Sequence, residues 1–216
     1  MAEAVVHGID VSHYQGTIDW NEVAKSGMAF AFIKATDGIG AGDPMFATNW
    51  KAARQAGLRR AAYHFFRPLT DALQQADNFI ARLGGDWGEL PPVLDFEALC
   101  GASPNQATEA AKRWMETIEA ACGRKPILYT GPAFWFSSLH DSQLFADHPL
   151  WIAQYTSAPQ PRMPSAWKAW TFWQHSEKGQ VPGIHGPVDL NRFNGTLTEL
   201  DALCARISMK SATAVS

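Results

Sequence analysis

Hydrophobic residues along the chain are concentrated in short runs with the composition of buried β-strands. The runs are rich in β-branched and aromatic residues and are mostly apolar throughout, which is typical of parallel strands that are covered on both faces. We therefore predict eight parallel strands, at residues 5–11, 29–35, 60–65, 92–96, 126–130, 150–154, 169–174 and 188–193.

Segments with helical periodicity separate the first of these strands. We predict helices at residues 19–26, 45–56, 70–83, 103–122 and 198–207. Their ends carry recognisable signals, because Gly57 and Gly123 are typical left-handed caps, while Ser103 and Pro104 are typical of a first turn. From residue 150 onward, Pro- and Gly-rich segments take the place of clear helices between the strands.

Strands that alternate with helices predict an α/β fold. The pattern favours a single-domain, irregular (β/α) barrel of the TIM type, with helices sparse in the last third. No repeat, linker or low-complexity block interrupts it. We therefore assign residues 1–207 to one barrel and expect residues 208–216 to form a frayed tail.

In such barrels the reactive groups lie at the carboxyl ends of the strands. Polar and aromatic side chains are frequent at the predicted ends, which carry Asp10, Tyr14, Lys34, Asp37, Tyr63, His64, Asp95, Glu97, Tyr129, Gln154, Tyr155, Trp173, Gln174, Asp189 and Asn191. Acids and aromatic rings are therefore expected to meet on one rim. A helix cap at Asp10 and a turn at Asp189 are the structural alternatives for two of these acids.

Asp95 and Glu97 form the sharpest candidate pair. Residues i and i+2 of a strand project to the same face, about 7 Å apart at the backbone. Two carboxylates in one cleft repel, which raises the proton affinity of one of them. Glycosidic cleavage needs this asymmetry, since one group donates a proton while the other stays ionised. An ordinary pair of surface acids is the alternative, but the apolar run before Asp95 argues against it.

Composition narrows the classes of function. The net charge is -3 at pH 7 and Lys and Arg are not clustered, which argues against nucleic acid as a partner. The chain has no GxGxxG or P-loop segment and no HxH, HExxH or CxxC spacing, so neither a cofactor nor a metal is expected. Nine Trp suit a sugar-binding cleft, although we assign Trp151, Trp167 and Trp170 to packing.

Membrane and disulfide signals are weak as well. No stretch of about 18 apolar residues occurs, so no membrane span is expected. The first residues lack the basic and apolar regions of a secretory signal. The three cysteines, Cys100, Cys122 and Cys204, are too few and too widely spaced for a disulfide framework, and we expect free thiols.

Several segments, taken in order, resemble glycoside hydrolase family 25, the barrel-type lysozymes or N-acetylmuramidases. They are HGIDVSHYQG at residues 7–16, FIKATDG at 32–38, DFE at 95–97, WQ at 173–174 and VDLN at 188–191. No single segment is decisive, but the ordered set is specific and extends from about residue 7 to residue 195. The resemblance therefore covers nearly the whole chain.

The resemblance implies an enzyme that cleaves the β-1,4 bond between N-acetylmuramic acid and N-acetylglucosamine in bacterial peptidoglycan. It makes Glu97 the general acid/base and Asp95 either a nucleophile or a partner that steadies the substrate acetamido group, with Asp10 and Asp189 completing the acidic cluster. It implies a cleft lined by Tyr63 and Tyr129, and we add Gln154, Tyr155, Trp173 and Gln174 as substrate-binding candidates. Such an enzyme is expected to be a monomer that acts outside the cytoplasm.

Two other functions fit parts of the same pattern. A non-catalytic peptidoglycan- or chitin-binding barrel could use the same cleft, but it would be expected to lack the protonatable Glu97. A zinc amidase would need a His/Cys ligand set, and the chain offers no such spacing.

Overall fold

A closed barrel forms the centre of the computed structural model, which describes residues 5–205. Its strands are β1 (Val6–Val11), β2 (Met28–Asp37), β4 (Arg59–Phe65), β5 (Val93–Asp95), β6 (Ile127–Thr130), β7 (Leu150–Ala153), β8 (Phe172–Gly179) and β9 (Val188–Phe193). A two-residue strand, β3 (Ala41–Gly42), extends the sheet beside β2. The sheet order is β1-β9-β8-β7-β6-β5-β4-β2-β3, and pairing of β1 with β2 closes the barrel. The predicted barrel is therefore confirmed.

The last barrel strand contradicts the prediction that all eight strands are parallel. β9 is antiparallel to both β1 and β8, whereas the other barrel pairs are parallel. Parallel neighbours need a crossover of a dozen or more residues, usually a helix. The segment between Gly179 and Val188 is shorter than that and has no helix, so β9 can only turn back beside β8. The amino-terminal end of β9 therefore lies at the rim where the parallel strands have their carboxyl ends.

Helices cover the outside of the barrel mainly in the first two thirds of the chain. They are α1 (Trp20–Lys25), α2 (Phe46–Gln55), α3 (Ala72–Leu83), α4 (Pro104–Cys122), α5 (Pro132–Ser138) and α6 (Leu197–Ala205), with a one-turn 3-10 helix at His13–Gln15. Helix α5 was not predicted, because it is short and aromatic and carries no polar face. The predicted tail at residues 208–216 and the last two residues of the predicted final helix lie outside the described residues.

Helix ends form where the local signals predict them. The Ser103 hydroxyl accepts a hydrogen bond from the Gln106 amide at 3.3 Å, and the Gln106 side chain accepts one from the Ser103 amide at 3.0 Å. This reciprocal pair satisfies amides that the first turn of α4 leaves without partners. Gly123 ends α4 with a φ of 70°, a conformation that glycine adopts without steric cost.

Two apolar layers fix the barrel and leave one end open. Aromatic rings fill the interior, including Phe30, Phe32, Trp151 and Phe172, and the rings of Phe32 and Trp151 stack at 3.9 Å. A second layer lies between the outer strand faces and the helices. The filled interior forms a floor, so the functional cleft can only lie above it, at the rim. No helix within residues 5–205 is both long and apolar enough to cross a membrane.

Candidate active site

A cleft of about 220 Å³ opens at the rim where the parallel strands have their carboxyl ends. Acids and aromatic side chains dominate its wall, which consists of Asp10, Val11, Ser12, Tyr14, Gln15, Lys34, Tyr63, Phe65, Asp95, Glu97, Tyr129, Trp151, Tyr155, Gln174 and Asp189. All four acids predicted to be catalytic and four of the six predicted substrate-binding residues therefore lie in one cleft.

Asp95 and Glu97 lie at the end of β5 in contrasting environments. Asp95 is 7% exposed, and its Oδ1 atom is buried with no hydrogen-bond partner among the described residues. Burial and then the nearby Glu97 raise the pKa of Asp95 well above its usual range. Glu97 lies at the cleft mouth, where burial of its carboxyl group raises its pKa and the Lys34 ammonium partly offsets this. Both carboxyl groups therefore hold a proton more readily than isolated acids do.

A second acidic pair joins β1 to β9. Asp10 lies directly opposite Asp189 in the antiparallel register, close enough for the two carboxyl groups to share a proton. Burial, then the charge of Asp189, raises the pKa of Asp10 well above its usual range, and burial also raises the pKa of Asp189. This pair exists because β9 is antiparallel, since a parallel β9 would carry Asp189 at the opposite end of the barrel.

Gln174 connects the acidic pair to two tyrosines. Its Oε1 atom accepts hydrogen bonds from the hydroxyls of Tyr129 at 3.1 Å and Tyr155 at 2.9 Å. Its amide nitrogen must then point the other way, and it donates to Asp10 Oδ2 at 2.8 Å. The two hydroxyls therefore fix the amide orientation that holds Asp10 in place.

Asn191 holds the same carboxyl oxygen from β9. The indole nitrogen of Trp151 donates to Asn191 Oδ1 at 2.8 Å, and Asn191 Nδ2 donates to Asp10 Oδ2 at 2.7 Å. With two amide donors on Oδ2, the other oxygen of Asp10 is the one left to interact with Asp189. The arrangement orders Asp10 before any ligand binds.

Tyr63 and Tyr129 contribute neutral hydroxyls. Burial is the main cause that raises the pKa of each phenol well above its usual range, and the carboxylates of Asp10 and Asp95 raise both further. Neutral tyrosines add no negative charge to an acidic cleft, and because the Tyr129 hydroxyl donates its one proton to Gln174, the Tyr63 hydroxyl is the one left to donate to a ligand.

Gln154 and Trp173 lie outside the cleft wall. The indole nitrogen of Trp173 donates to the Gln154 carbonyl at 2.8 Å, and Gln154 Oε1 accepts from the Arg162 amide at 2.6 Å. Successive residues of a strand face opposite sides, so Trp173 points outward because Gln174 points inward. The prediction that both Trp173 and Gln174 line the cleft is therefore corrected for Trp173, because adjacent residues of a strand face opposite sides.

Seven wall residues were not among the predicted site residues: Val11, Ser12, Tyr14, Gln15, Lys34, Phe65 and Trp151. Lys34 could have been found from the same alternation, because Phe30, Phe32 and Lys34 share the inner face of β2. Trp151 was assigned to packing, and it does pack against Phe32, but its edge also reaches the cleft.

The histidine at the end of β4 has no free ring nitrogen for a metal. His64 is fully buried and bonds the Thr36 hydroxyl at 2.7 Å and Gln75 Oε1 at 3.0 Å. Burial lowers the pKa of His64 to about 4, so the ring is neutral at physiological pH. Among residues 5–205, no three His, Cys, Asp or Glu side chains are grouped as metal ligands. The cleft instead offers paired carboxyl groups that can give and take protons.

Comparison with known proteins shows which family the chain resembles. The sequence model described as Glycosyl hydrolases family 25 matches residues 9–184. The chain is 43% identical to the uncharacterized protein YegX of Escherichia coli K12, over 93% of this chain and 74% of that protein. It is 40% identical to lysozyme M1 of Streptomyces globisporus, over 92% of this chain and 71% of that protein.

A solved structure shares both fold and sequence with the chain. The crystal structure of the bacterial lysozyme from Streptomyces coelicolor aligns with a TM-score of 0.87 and 36% identity, covering 95% of this chain and 99% of that chain. The family match spans most of the sequence and includes the segments that place Asp10, Asp95 and Glu97. The chain therefore belongs to glycosyl hydrolases family 25 and is a glycoside hydrolase.

Proposed function

We propose that this chain is a lysozyme, a 1,4-β-N-acetylmuramidase that hydrolyses the bond between N-acetylmuramic acid and N-acetylglucosamine in bacterial peptidoglycan. The observation that carries the proposal is the pair of carboxyl groups at the end of β5, one buried and one at the mouth, in a family 25 barrel. Lysozyme M1 and the Streptomyces coelicolor lysozyme resemble the chain over more than nine tenths of its length, which supports this activity.

Glu97 acts as the general acid/base in this proposal. Its side chain is accessible at the cleft mouth, where a glycosidic oxygen can approach it, and its raised pKa keeps a proton available for the leaving group. After the leaving sugar departs, the resulting carboxylate can take a proton from the attacking water. Both carboxyl groups have a raised pKa, so it is access to the glycosidic oxygen that favours Glu97 over the more buried Asp95 for this role.

Asp95 acts near the anomeric carbon rather than at the leaving oxygen. It lies deeper, and its buried Oδ1 atom has no hydrogen-bond partner among the described residues. It serves either as a nucleophile at the anomeric carbon or as the partner that steadies an attacking acetamido group of the substrate. Both routes displace twice at that carbon and retain the β configuration.

The remaining wall residues bind and orient the sugar. Asp10, fixed by Gln174 and Asn191, and its partner Asp189 complete the acidic cluster. Tyr63, Tyr129 and Tyr155 supply ring faces and hydroxyls, and flat rings cover the apolar faces of pyranosides. The enzyme acts on peptidoglycan outside the cytoplasm, as a monomer.

Glu97→Gln tests the assignment. Gln keeps the shape but cannot donate the proton, so turnover should fall by about 10²–10⁴-fold while the fold is unchanged. Release of reducing ends from purified peptidoglycan is the measurement, and Glu109→Gln, which removes an exposed charge on α4, is the control. A Glu97→Gln enzyme that keeps more than a tenth of the activity would overturn the role of Glu97.

The same assay separates the alternatives. New reducing ends from the unaltered protein support a glycosidase, and new amino groups would indicate an amidase. Binding to peptidoglycan without release of either would indicate a non-catalytic binding barrel.

A further inference from the structure

Lys34 is the one basic side chain among the described residues that line the cleft. It projects from β2 toward a wall that carries four carboxyl groups, and its side chain is 16% exposed. Its neighbour on β4 is Tyr63. A cation at this place gives an otherwise acidic cleft one position that attracts negative charge.

Lys34 belongs to a cluster formed with Asp37, Phe65 and Arg67. Arg67 binds the Asp37 carboxylate through two nitrogens, Nε to Oδ1 at 2.7 Å and Nη2 to Oδ2 at 3.1 Å. Lys34 Nζ donates to Asp37 Oδ2 at 3.2 Å. The Phe65 ring lies 5.0 Å from the Lys34 ammonium and 4.4 Å from the Arg67 guanidinium. Two cations share one carboxylate, so the cluster keeps a net positive charge.

Because Arg67 also binds Asp37, the Lys34 ammonium keeps hydrogen-bond donors for a ligand. A bidentate arginine satisfies both oxygens of Asp37, so Lys34 is not its sole partner. An ammonium has three donors, and Asp37 uses one of them. The other two can bind a ligand in the cleft.

The cluster also lies beside the acids of β5. Phe65 lines the cleft and is paired in register with Asp95. Lys34 is near enough to act electrostatically on both Asp95 and Glu97. A sugar held over these acids would therefore have one edge facing Lys34.

We propose that Lys34, held by Asp37 and Arg67, binds a carboxylate carried by the 3-O-substituent of the muramoyl residue and so distinguishes it from N-acetylglucosamine. The inference rests on the proposed function, since it assumes a muramoyl ligand. The carboxylate has two sources. In peptide-free glycan it is the lactyl group itself, whereas in peptide-bearing glycan the lactyl carboxyl is an amide and the stem peptide supplies the carboxylate.

Three ligands of equal sugar length test this inference. They are an N-acetylglucosamine oligomer, a peptide-free oligomer that alternates N-acetylglucosamine with N-acetylmuramic acid, and the same oligomer with stem peptides. Calorimetry in the Glu97→Gln background gives dissociation constants without cleavage. Adding Lys34→Gln should weaken binding of carboxylate-bearing ligands by about tenfold or more, as expected for a charge-assisted hydrogen bond, and leave the N-acetylglucosamine oligomer within about twofold.

The pattern across ligands identifies the source of the carboxylate. Weakening for the peptide-free oligomer assigns Lys34 to the lactyl carboxylate, and weakening only for the peptide-bearing oligomer assigns it to the stem peptide. Equal weakening for all three ligands, or none, would overturn the inference. Any effect of the substitution on the shape of the cleft is common to the three ligands and cancels in their ratio.

Two further variants test this interpretation, one as a control and one as an independent change in the same cluster. Lys112→Gln removes the same charge from the exposed face of α4 and should change none of the dissociation constants. Arg67→Gln frees Asp37 to neutralise Lys34 and should weaken the same ligands as Lys34→Gln does, even if the Lys34 variant folds poorly. The muramidase proposal fails separately, if the unaltered protein releases no reducing ends from peptidoglycan.

Discussion

Two residues apart in sequence, Asp95 and Glu97 differ in how much water reaches them. Asp95 is buried at the strand end, and one of its oxygens has no partner among residues 5–205, while Glu97 lies at the mouth. The difference in their environments, and not in residue type, gives one carboxyl group the role of general acid and the other the role of its partner. The spacing of the pair was visible in the sequence, but the difference in burial depends on the strands and loops around β5.

Asp95→Asn should stabilise the protein at neutral pH. Burial raises the pKa of Asp95 in the folded state, so its contribution to stability is full below the unfolded pKa of about 3.9 and is lost as pH rises through the folded pKa. Asn removes this cost. The free energy of unfolding should increase by roughly 1–2 kcal/mol at pH 7 and by little at pH 3.

Urea denaturation at the two pH values is the measurement. An Asp95→Asn variant that is equally changed at both pH values, or is less stable at pH 7, would contradict the argument. Turnover should fall in the same variant, because the charge that Asp95 contributes to the reaction is gone.

Activity should decline as pH rises through the pKa of Glu97, since the general acid must be protonated. Burial raises this pKa above its usual range, so the alkaline limb of the profile lies above the pH at which an isolated glutamate ionises. Lys34 lowers the pKa of Glu97 by its charge. Lys34→Gln should therefore move the alkaline limb to higher pH, and a move to lower pH would refute the electrostatic link between them.

The sequence predicts which residues lie at strand ends better than it predicts which of their side chains point into the cleft. Tyr63 and Tyr129 were predicted at strand ends, and both line the cleft. Trp173 was misplaced because its neighbour Gln174 takes the inward position. Which of two adjacent residues faces inward depends on the strand register, which pairing with neighbouring strands determines.

Among the elements, β9 has the largest effect on the cleft. Its reversal places Asp189 opposite Asp10 and Asn191 within reach of the same carboxylate. The Pro- and Gly-rich segment at residues 180–187 could have predicted this direction, since it is too short for a crossover. The parallel direction was inferred from apolar composition, which does not report strand direction.

The contact between β1 and β2 depends on a residue without a side chain. A Cβ atom at Gly8 would lie 2.5 Å from the Phe30 ring, which is fully buried inside the barrel. Gly8→Ala should therefore lower the free energy of unfolding by about 1–3 kcal/mol, the usual range for overpacking. Chemical denaturation is the measurement.

Gly40→Ala provides the matched control, because a Cβ atom at Gly40 would meet no atom within 4 Å. It should leave the free energy of unfolding nearly unchanged. If the two variants were equally stable, the packing of Phe30 against β1 would not constrain the barrel as described.

At the scale of the whole molecule, closure of the sheet explains how distant segments form one cleft. Asp10 and Asp189 are far apart in sequence, yet pairing of β1 with β2 and β9 makes their strands neighbours. The order of strands and helices predicted a barrel, because alternation of this kind has few other solutions. The filling of the interior by aromatic rings could not be predicted, since it depends on which face of each strand turns inward.

The fold and the proposed chemistry should both be independent of disulfides and metals. Cys100, Cys122 and Cys204 are free thiols in the structure, and the paired carboxyl groups of the cleft are sufficient for glycosidic cleavage. A reducing agent together with EDTA should therefore change neither the melting temperature nor the release of reducing ends. Thiol titration of the denatured, unreduced protein should find all three thiols. Inhibition by EDTA that zinc reverses would instead favour an amidase, and a single titratable thiol would reveal a disulfide.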